Sequence, residues 1–349
     1  MTPILKAILT AFAVLAIAGS SQAGIGDQIQ RLITRFKAPE GGNLQGLTEN
    51  EIPAFQAIPS ELNAVIAWSS NRSGNHEIYT WDTQTGSIRQ LTQNEHVDYF
   101  ANFSPDGKQL VFSRSQRPWV SFREQDAWDV YLMKADGSDQ KLLARTGYQP
   151  TWATDGRHVT FVRRSQIVQI EVDSQKETIL GDAEQAPING PVHSPVLASG
   201  RGKLGLILRQ SKYIGPAVLD LPSRNLIKFY PNQACQTFWS DNQQQLLFVA
   251  KGGEGGTRIM VTDVPDGGQV DQYRTQVLMD LPGAYSHEYF PRIDNSGNWL
   301  VWGAAAQGHE HDRADYEIFL WRIGRPWQEA QRLTHYSGND QWPDIFVRG

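Results

Sequence analysis

The chain has 349 residues, 40% of them hydrophobic and 20% charged, with 31 Gly and 18 Pro. That is enough apolar material for a large core and excludes a disordered polymer. A formal charge of -5 without a basic stripe excludes a nucleic-acid partner, and eleven Trp and eleven Tyr against four Met favour sheet packing over a helical bundle.

Residues 1–23 read as a signal peptide. Lys6 precedes the apolar run AILTAFAVLAIAG, and Ser21 and Ala23 take the small-residue positions before cleavage ahead of Gly24. The run is shorter than the ~20 residues a spanning helix needs, and no later stretch is long and uncharged enough to span. The expectation is an exported, periplasmic protein, soluble and without a stable transmembrane anchor after cleavage. Cys235 is the only cysteine, which excludes an intramolecular disulfide. Its place beside an apolar strand start reads as a small buried side chain rather than a nucleophile.

Residues 24–60 form an N-terminal arm. Ile25, Ile29, Leu32, Ile33 and Phe36 share one side of a short amphipathic helix, which KAPEGGN interrupts. The arm is too short for a conventional domain and is expected to lie on the main body or tether it.

From Glu61 to Gly349 one unit recurs: strand, tight polar turn, strand, variable loop, strand, turn, strand. FANFSPDGKQLVFSRS is followed by DVYLMKADGSDQKLLAR, YQPTWATDGRHVTFVRR by QIVQIEVDSQKETIL, and YFPRIDNSGNWLVWGAA by YEIFLWRIG. In SPDGK, Pro105 fixes φ, Asp106 can accept a local backbone hydrogen bond, and Gly107 tolerates positive φ. Aligning the first strands places Ala101, Pro150, Pro195, Thr237, Pro291 and Pro343 in one column. Two residues on stand Phe103, Trp152, Leu197, Trp239, Ile293 and Ile345, expected to pack between neighbouring blades.

The first unit, from Ala64 to Thr92, supplies strands two, three and four without a first, and WPDIFV at the chain's end supplies the missing one. The predicted fold is therefore all-β, a six-bladed β-propeller whose C-terminal strand closes the first blade. Pro343 should sit where no ladder donor is needed. Trp342 and Phe346 should share one side of that strand, with Ile345 against the neighbouring blade.

FSPDGKQLVFS with DVYLMKADG, SSNRSGNHEIY and RQLT resembles the PD40 (WD40-like) repeats of TolB-type six-bladed propellers. The resemblance implies a periplasmic protein that binds envelope partners, among them a peptidoglycan-associated lipoprotein. TolB proteins also carry a substantial α/β domain before the propeller, and residues 24–60 stand in its place here.

Blade topology puts the short turns on one face and the long insertions, Gln116–Trp128 and Ala305–Asp315, on the other. Loops on a rigid scaffold are the better binding candidates. The expected partner contacts are Arg117, Trp119, Phe122, Arg123, Glu124 and Trp128, facing an envelope protein or peptide, with the protein monomeric. Asp98, Glu288 and Asp340, with His287 and Asn339, precede inner strands and are expected at the channel mouth. The simplest reading makes the three carboxylates solvated crossover groups. The functional one makes them an acidic funnel for a basic peptide or for calcium or another divalent cation, with His309 and His311 as further candidate ligands. No other cofactor is implied. Neither Ser194 nor Ser240 sits in a G-x-S-x-G elbow. The alternative to an interaction scaffold is a lyase or glycosidase acting on a periplasmic saccharide through His287, Glu288 and Arg292.

Deleting Trp342–Gly349 should open the ring. Cooperative melting should give way to aggregation more readily than after trimming residues 24–60, and unchanged monomeric melting would reject closure by the last strand.

Overall fold

The computed structural model describes residues 48–240, 242–266, 269–308 and 310–349. The expected leader, the amphipathic helix at Ile25–Phe36 and His309 lie outside the described residues. Within residues 48–349 the strands form six four-stranded antiparallel sheets. Blade 1 contains β1 (Ala64–Ser70), β2 (Glu77–Asp82) and β3 (Ile88–Gln90). Blade 2 is β4 (Asp98–Phe103), β5 (Gln109–Ser115), β6 (Trp128–Lys134) and β7 (Lys141–Ala144). Blades 3, 4 and 5 start at β8 (Tyr148–Trp152), β12 (Val192–Ala198) and β16 (Ala234–Trp239). Blade 6 includes β20 (His287–Ile293), β21 (Trp299–Ala305) and β22 (Tyr316–Arg322). The last strand, β24 (Asp340–Val347), pairs antiparallel with β1, so the chain end supplies the inner strand of blade 1 as expected.

The turn chemistry is realised in blade 2. Ser104 and Asp106 share a 2.7 Å side-chain hydrogen bond, Asp106 accepts from the Lys108 N-H, and Gly107 adopts φ +69°. A Cβ on Gly107 would lie 2.3 Å from the Phe346 ring, so the closing strand also demands glycine there.

Each inner strand is bulged at the same place. Phe100, Gln149, Ser194, Gln236, Phe290 and Trp342 all adopt left-handed backbone, with φ from 48° to 60°. The ladder to the second strand of each blade skips there. The next position is the Ala/Pro/Thr column; apart from Thr237, which pairs with Phe248, these residues fall outside the ladder, where a missing N-H costs no bond. Pro343 lies in such a gap, between the paired residues Gln341 and Asp344.

The bulge also corrects one expectation. Simple alternation would put Trp342 and Phe346 together, but the left-handed turn at Trp342 aims its ring at the ring centre. Phe346 instead packs on Phe103 of blade 2, with centroids 6.1 Å apart. Beyond the bulge, Phe103, Trp152, Leu197, Trp239, Ile293 and Ile345 each join a cluster shared with the preceding blade. Burying such a side chain stabilises by roughly 1.5–3 kcal/mol, so this column is a main source of inter-blade cohesion.

At the seam, helix α1 (Glu51–Ala57) lies beside the junction of blades 1 and 6, with Phe55 on Trp81 at 6.2 Å. Arg72, between β1 and β2, is fully buried and donates to Glu51 Oε1 at 3.1 Å and Asp340 Oδ2 at 2.8 Å. Its guanidinium lies 5.4–5.6 Å from the ring centroids of Trp68, Tyr79 and Tyr336. Burial opposes the charge, yet the carboxylates of Asp340 and Glu51 hold its pKa above the ordinary arginine value. Replacing Arg72 by Ala leaves two buried carboxylates without their counter-charge and should cost about 3–5 kcal/mol. Equilibrium urea unfolding checks this, and a loss under about 1 kcal/mol would mean that the clasp contributes little.

Candidate functional site

The insertions of blades 2 and 6 meet across the intervening blade 1. Ser121 Oγ donates to Asp312 Oδ2 at 2.5 Å, and the Phe122 N-H donates to Asp312 Oδ1 at 3.2 Å. Arg123 forks onto the Glu310 carboxylate, with Nη2 2.9 Å from Oε2, and reaches Asp312 at 3.4 Å. Burial pushes the Asp312 carboxyl up to about 6 against these donors. Beneath this weld, Phe122 stands edge-on to His311 at 4.8 Å, and His311 packs on Tyr289, Phe290 and Trp342 at 4.8, 4.9 and 5.6 Å. Asn339 donates from Nδ2 to the His311 carbonyl at 2.8 Å, fastening the loop to the start of β24. Two variable loops thus become one surface over the channel.

On that surface Arg117 is exposed and ion-paired with Glu124, while Trp119, Phe122 and Arg123 are half-buried. Arg123 lies over the Phe122 ring at 4.3 Å. Trp128 does not belong with them. It is fully buried, stacked on Tyr99 at 5.2 Å, because it starts β6 and its ring turns into the central aromatic cluster.

The channel-mouth acids need a second correction. Asp98, Glu288 and Asp340 are all fully buried, so they form neither an open acidic funnel nor a set of solvated crossover groups. Asp98 is held by Arg114 through Nε and Nη2, each at 2.8 Å, and Asp340 by Arg72. Glu288 accepts from the Leu281 N-H at 2.6 Å, and its Oε2 has no partner. Burial pushes the Glu288 carboxyl up to about 8. His287 is half-buried on the same strand, and neighbouring strand residues face opposite sides. Arg292 lies below the bulge, over the Phe238 ring at 4.6 Å. His287, Glu288 and Arg292 therefore face different surroundings. Among the described residues no three His, Cys, Asp or Glu side chains are placed to hold a metal ion.

No family model matches the chain. A TolB homologue of Chlorobium chlorochromatii is 30% identical over 140 residues, 30% of this chain and 32% of the relative, so the match spans about a third of that protein. Among solved structures, TolB from Acinetobacter baumannii superposes with a TM-score of 0.60 at 12% identity, covering 84% of this chain and 69% of that one. The fold is that of a TolB-like six-bladed propeller. A chain of the nidogen/laminin complex superposes with a TM-score of 0.56 at 10% identity, covering 81% of this chain and 98% of that one.

In this TolB-like propeller the buried cations were the residues that motif reading passed over. Arg114 is the next-to-last residue of β5 and faces Asp98 directly across the ladder. The usable signal was an acid opening an inner strand with an arginine closing or just following the next strand, as in DYFANF with VFSRS. A second signal was the acid in the first or second place of the third strand in EIYTW, DVYLM and EIFLW. Glu77 accepts from the Asn94 N-H at 2.7 Å, Asp129 from the Thr146 N-H at 2.8 Å, and Glu317 from Thr334 Oγ1 at 2.6 Å. Each ties its blade's third strand to the segment carrying or leaving the fourth.

Glu288 makes stability depend on pH with a definite sign. Its folded-state pKa is raised, so its favourable contribution is complete below the ordinary glutamate value near 4.5 and is lost as pH rises to about 8. Glu288→Gln should therefore gain melting temperature relative to the unaltered protein across that window. Parallel melting curves of the two proteins from pH 4.5 to 8 would contradict the assignment.

Proposed function

We propose that this TolB-like propeller is an exported protein-interaction module of the cell envelope. It works in the periplasm as a monomer and takes a protein or peptide partner on its loop face. The observation that carries this reading is the weld between the two insertions, because it converts variable loops into a fixed platform. Trp119 and Phe122 offer half-buried aromatic contact area at low entropic cost, and Arg117, Arg123 and Glu124 frame them with charge. Ring closure and inter-blade packing hold that platform rigid, which lowers the ordering cost of binding.

Two further observations support the reading. The leader-like start MTPILKAILTAFAVLAIAG fits export. The match to a TolB homologue and the likeness to a chain of the nidogen/laminin complex fit a propeller that meets other proteins.

The test compares the two faces. A photo-crosslinking residue at Trp119 or Phe122 should form adducts in intact cells, whereas the same residue at Lys108 or Asp136 on the short-turn face should not. Arg117→Ala should weaken the isolated complex about fivefold or more, equivalent to ~1 kcal/mol. Adducts confined to the short-turn face would overturn the assignment.

A further inference from the structure

The two ends of the central channel differ in character. Toward the loop face it is closed by Phe100, Phe290 and Trp342, whose rings meet with centroids 4.1 Å (Phe100 to Trp342) and 3.8 Å (Phe290 to Trp342) apart. Phe122 and His311 lie against Trp342 above them. Below this layer is a cavity of about 30 Å³ whose polar lining includes Gln149, Thr151, Ser194, Gln236, Thr237 and Arg292. A second cavity, of about 70 Å³, shares Thr151 and Val196 with the first and extends to the short turns at Ser104–Pro105, Thr154 and Asn295. Its walls include Phe238, Trp239 and Ile293. The channel is thus a funnel opening on the face opposite the loops.

Arg292 stands in this funnel with its hydrogen-bonding capacity largely unused. A guanidinium has five N-H donors. Here Nη1 makes one long bond, 3.3 Å, to the adjacent Pro291 carbonyl, and the buried Nε has no acceptor. The nearest carboxylate oxygen, Asp344 Oδ1, is 3.9 Å from Nε. The other oxygen of Asp344 is committed to Asn102 Nδ2 at 2.9 Å and the Phe103 N-H at 2.7 Å. Burial, opposed by Asp344, lowers the Arg292 pKa below the ordinary value, the signature of an ill-compensated charge. The neighbouring amides have their oxygens occupied: Gln149 Oε1 accepts the Ser194 N-H at 2.9 Å and Gln236 Oε1 the Phe290 N-H at 2.5 Å. Their NH₂ groups remain as donors, so the inner chamber is rich in donors around one cation.

We propose that this funnel is a binding site for a small monocarboxylate with an apolar body, entering from the short-turn face. The carboxylate takes the Arg292 fork, and the body lies along Phe238, Trp239, Val196 and Ile293. A charge-assisted, two-point contact suits a planar carboxylate. A doubly charged anion fits less well, because Asp344 stands beside the same guanidinium and repels the second charge. The funnel lies on the opposite face from the loop platform and does not rest on that assignment.

The experiment titrates the mature, full-chain protein with sodium benzoate by calorimetry, with benzamide as the neutral analogue of the same shape. Benzoate should bind one saturable site, and benzamide should bind roughly tenfold or more weakly, as loss of a charge-assisted contact requires. Arg292→Gln should weaken benzoate by a similar factor while keeping a cooperative melt. Asp344→Asn removes the competing negative charge and can keep an acceptor oxygen where Oδ2 meets Asn102 and the Phe103 N-H, so it should tighten benzoate. Trp119→Ala, on the far face, should bind benzoate unchanged. Absence of saturable benzoate binding, equal affinity for benzamide, or no tightening in Asp344→Asn would each overturn the proposal. So would wild-type affinity in Arg292→Gln or loss of affinity in Trp119→Ala.

Discussion

The antiparallel pairing of β24 with β1 joins the last strand of the described residues to the first, and the closed ring depends on it. A propeller blade buries its faces only against neighbours, so an open ring would expose both the edge of β1 and the apolar seam that Ile345 fills beside Trp299, Val301 and Ile318. Backbone hydrogen bonds alone contribute modestly once water competes for the same groups. The seam adds a buried arginine that joins α1, the turn after β1 and the start of β24, together with Phe346 packed on the neighbouring blade. Arg72 is costly to bury, and the arrangement persists because two carboxylates and three aromatic rings surround it.

The same economy of closure explains the ring's interior. Six left-handed residues at equivalent positions bend each inner strand away from its ladder at one level. That bend turns Phe100, Phe290 and Trp342 toward the axis and gives the following prolines a place without a donor requirement. In blades 3 to 5 the corresponding residues are Gln149, Ser194 and Gln236; Gln149 Oε1 accepts the Ser194 N-H of the next blade, and Gln236 Oε1 accepts the Phe290 N-H of blade 6. One arc of the channel is therefore closed by aromatic packing and the other by amide hydrogen bonds. Because the aromatic arc lies under the welded insertions, the loop face presents a surface and the short-turn face presents a funnel.

Charge burial has two outcomes in this fold. Where an inner-strand acid meets an arginine of the adjoining strand or turn, as in Asp98 with Arg114 or Asp340 with Arg72, the charges are paired and structural. Where the partner is missing or distant, as for Glu288 Oε2 and Arg292 Nε, the buried group carries an unmet electrostatic demand. The first outcome fixes strand to strand within a blade. The second makes the molecule sensitive to pH at Glu288 and, at Arg292, leaves donors facing space that a ligand can enter.

The repeat of strand, turn and strand was legible from residues alone, because period-two apolar runs and the SPDG turn act locally and need no knowledge of the partner strand. Closure was legible for a related reason: an unpaired first blade and a surplus last strand are both visible in the order of the units. The inter-blade column at Phe103, Trp152 and Ile345 followed from alignment of those units. The exposure of Asp98, Glu288 and Asp340 was not legible, nor was the burial of Trp128, because whether a residue beside a crossover meets water depends on loops arriving from other blades. The direction of Trp342 was hidden as well, since a single left-handed residue reverses which side the preceding strand faces without changing composition or period. Sequence thus determined the architecture, which is written in short-range patterning. The tertiary structure decided which charges are paired and which face is open, because those follow from contacts between residues as far apart as Ser121 and Asp312 or Arg72 and Asp340.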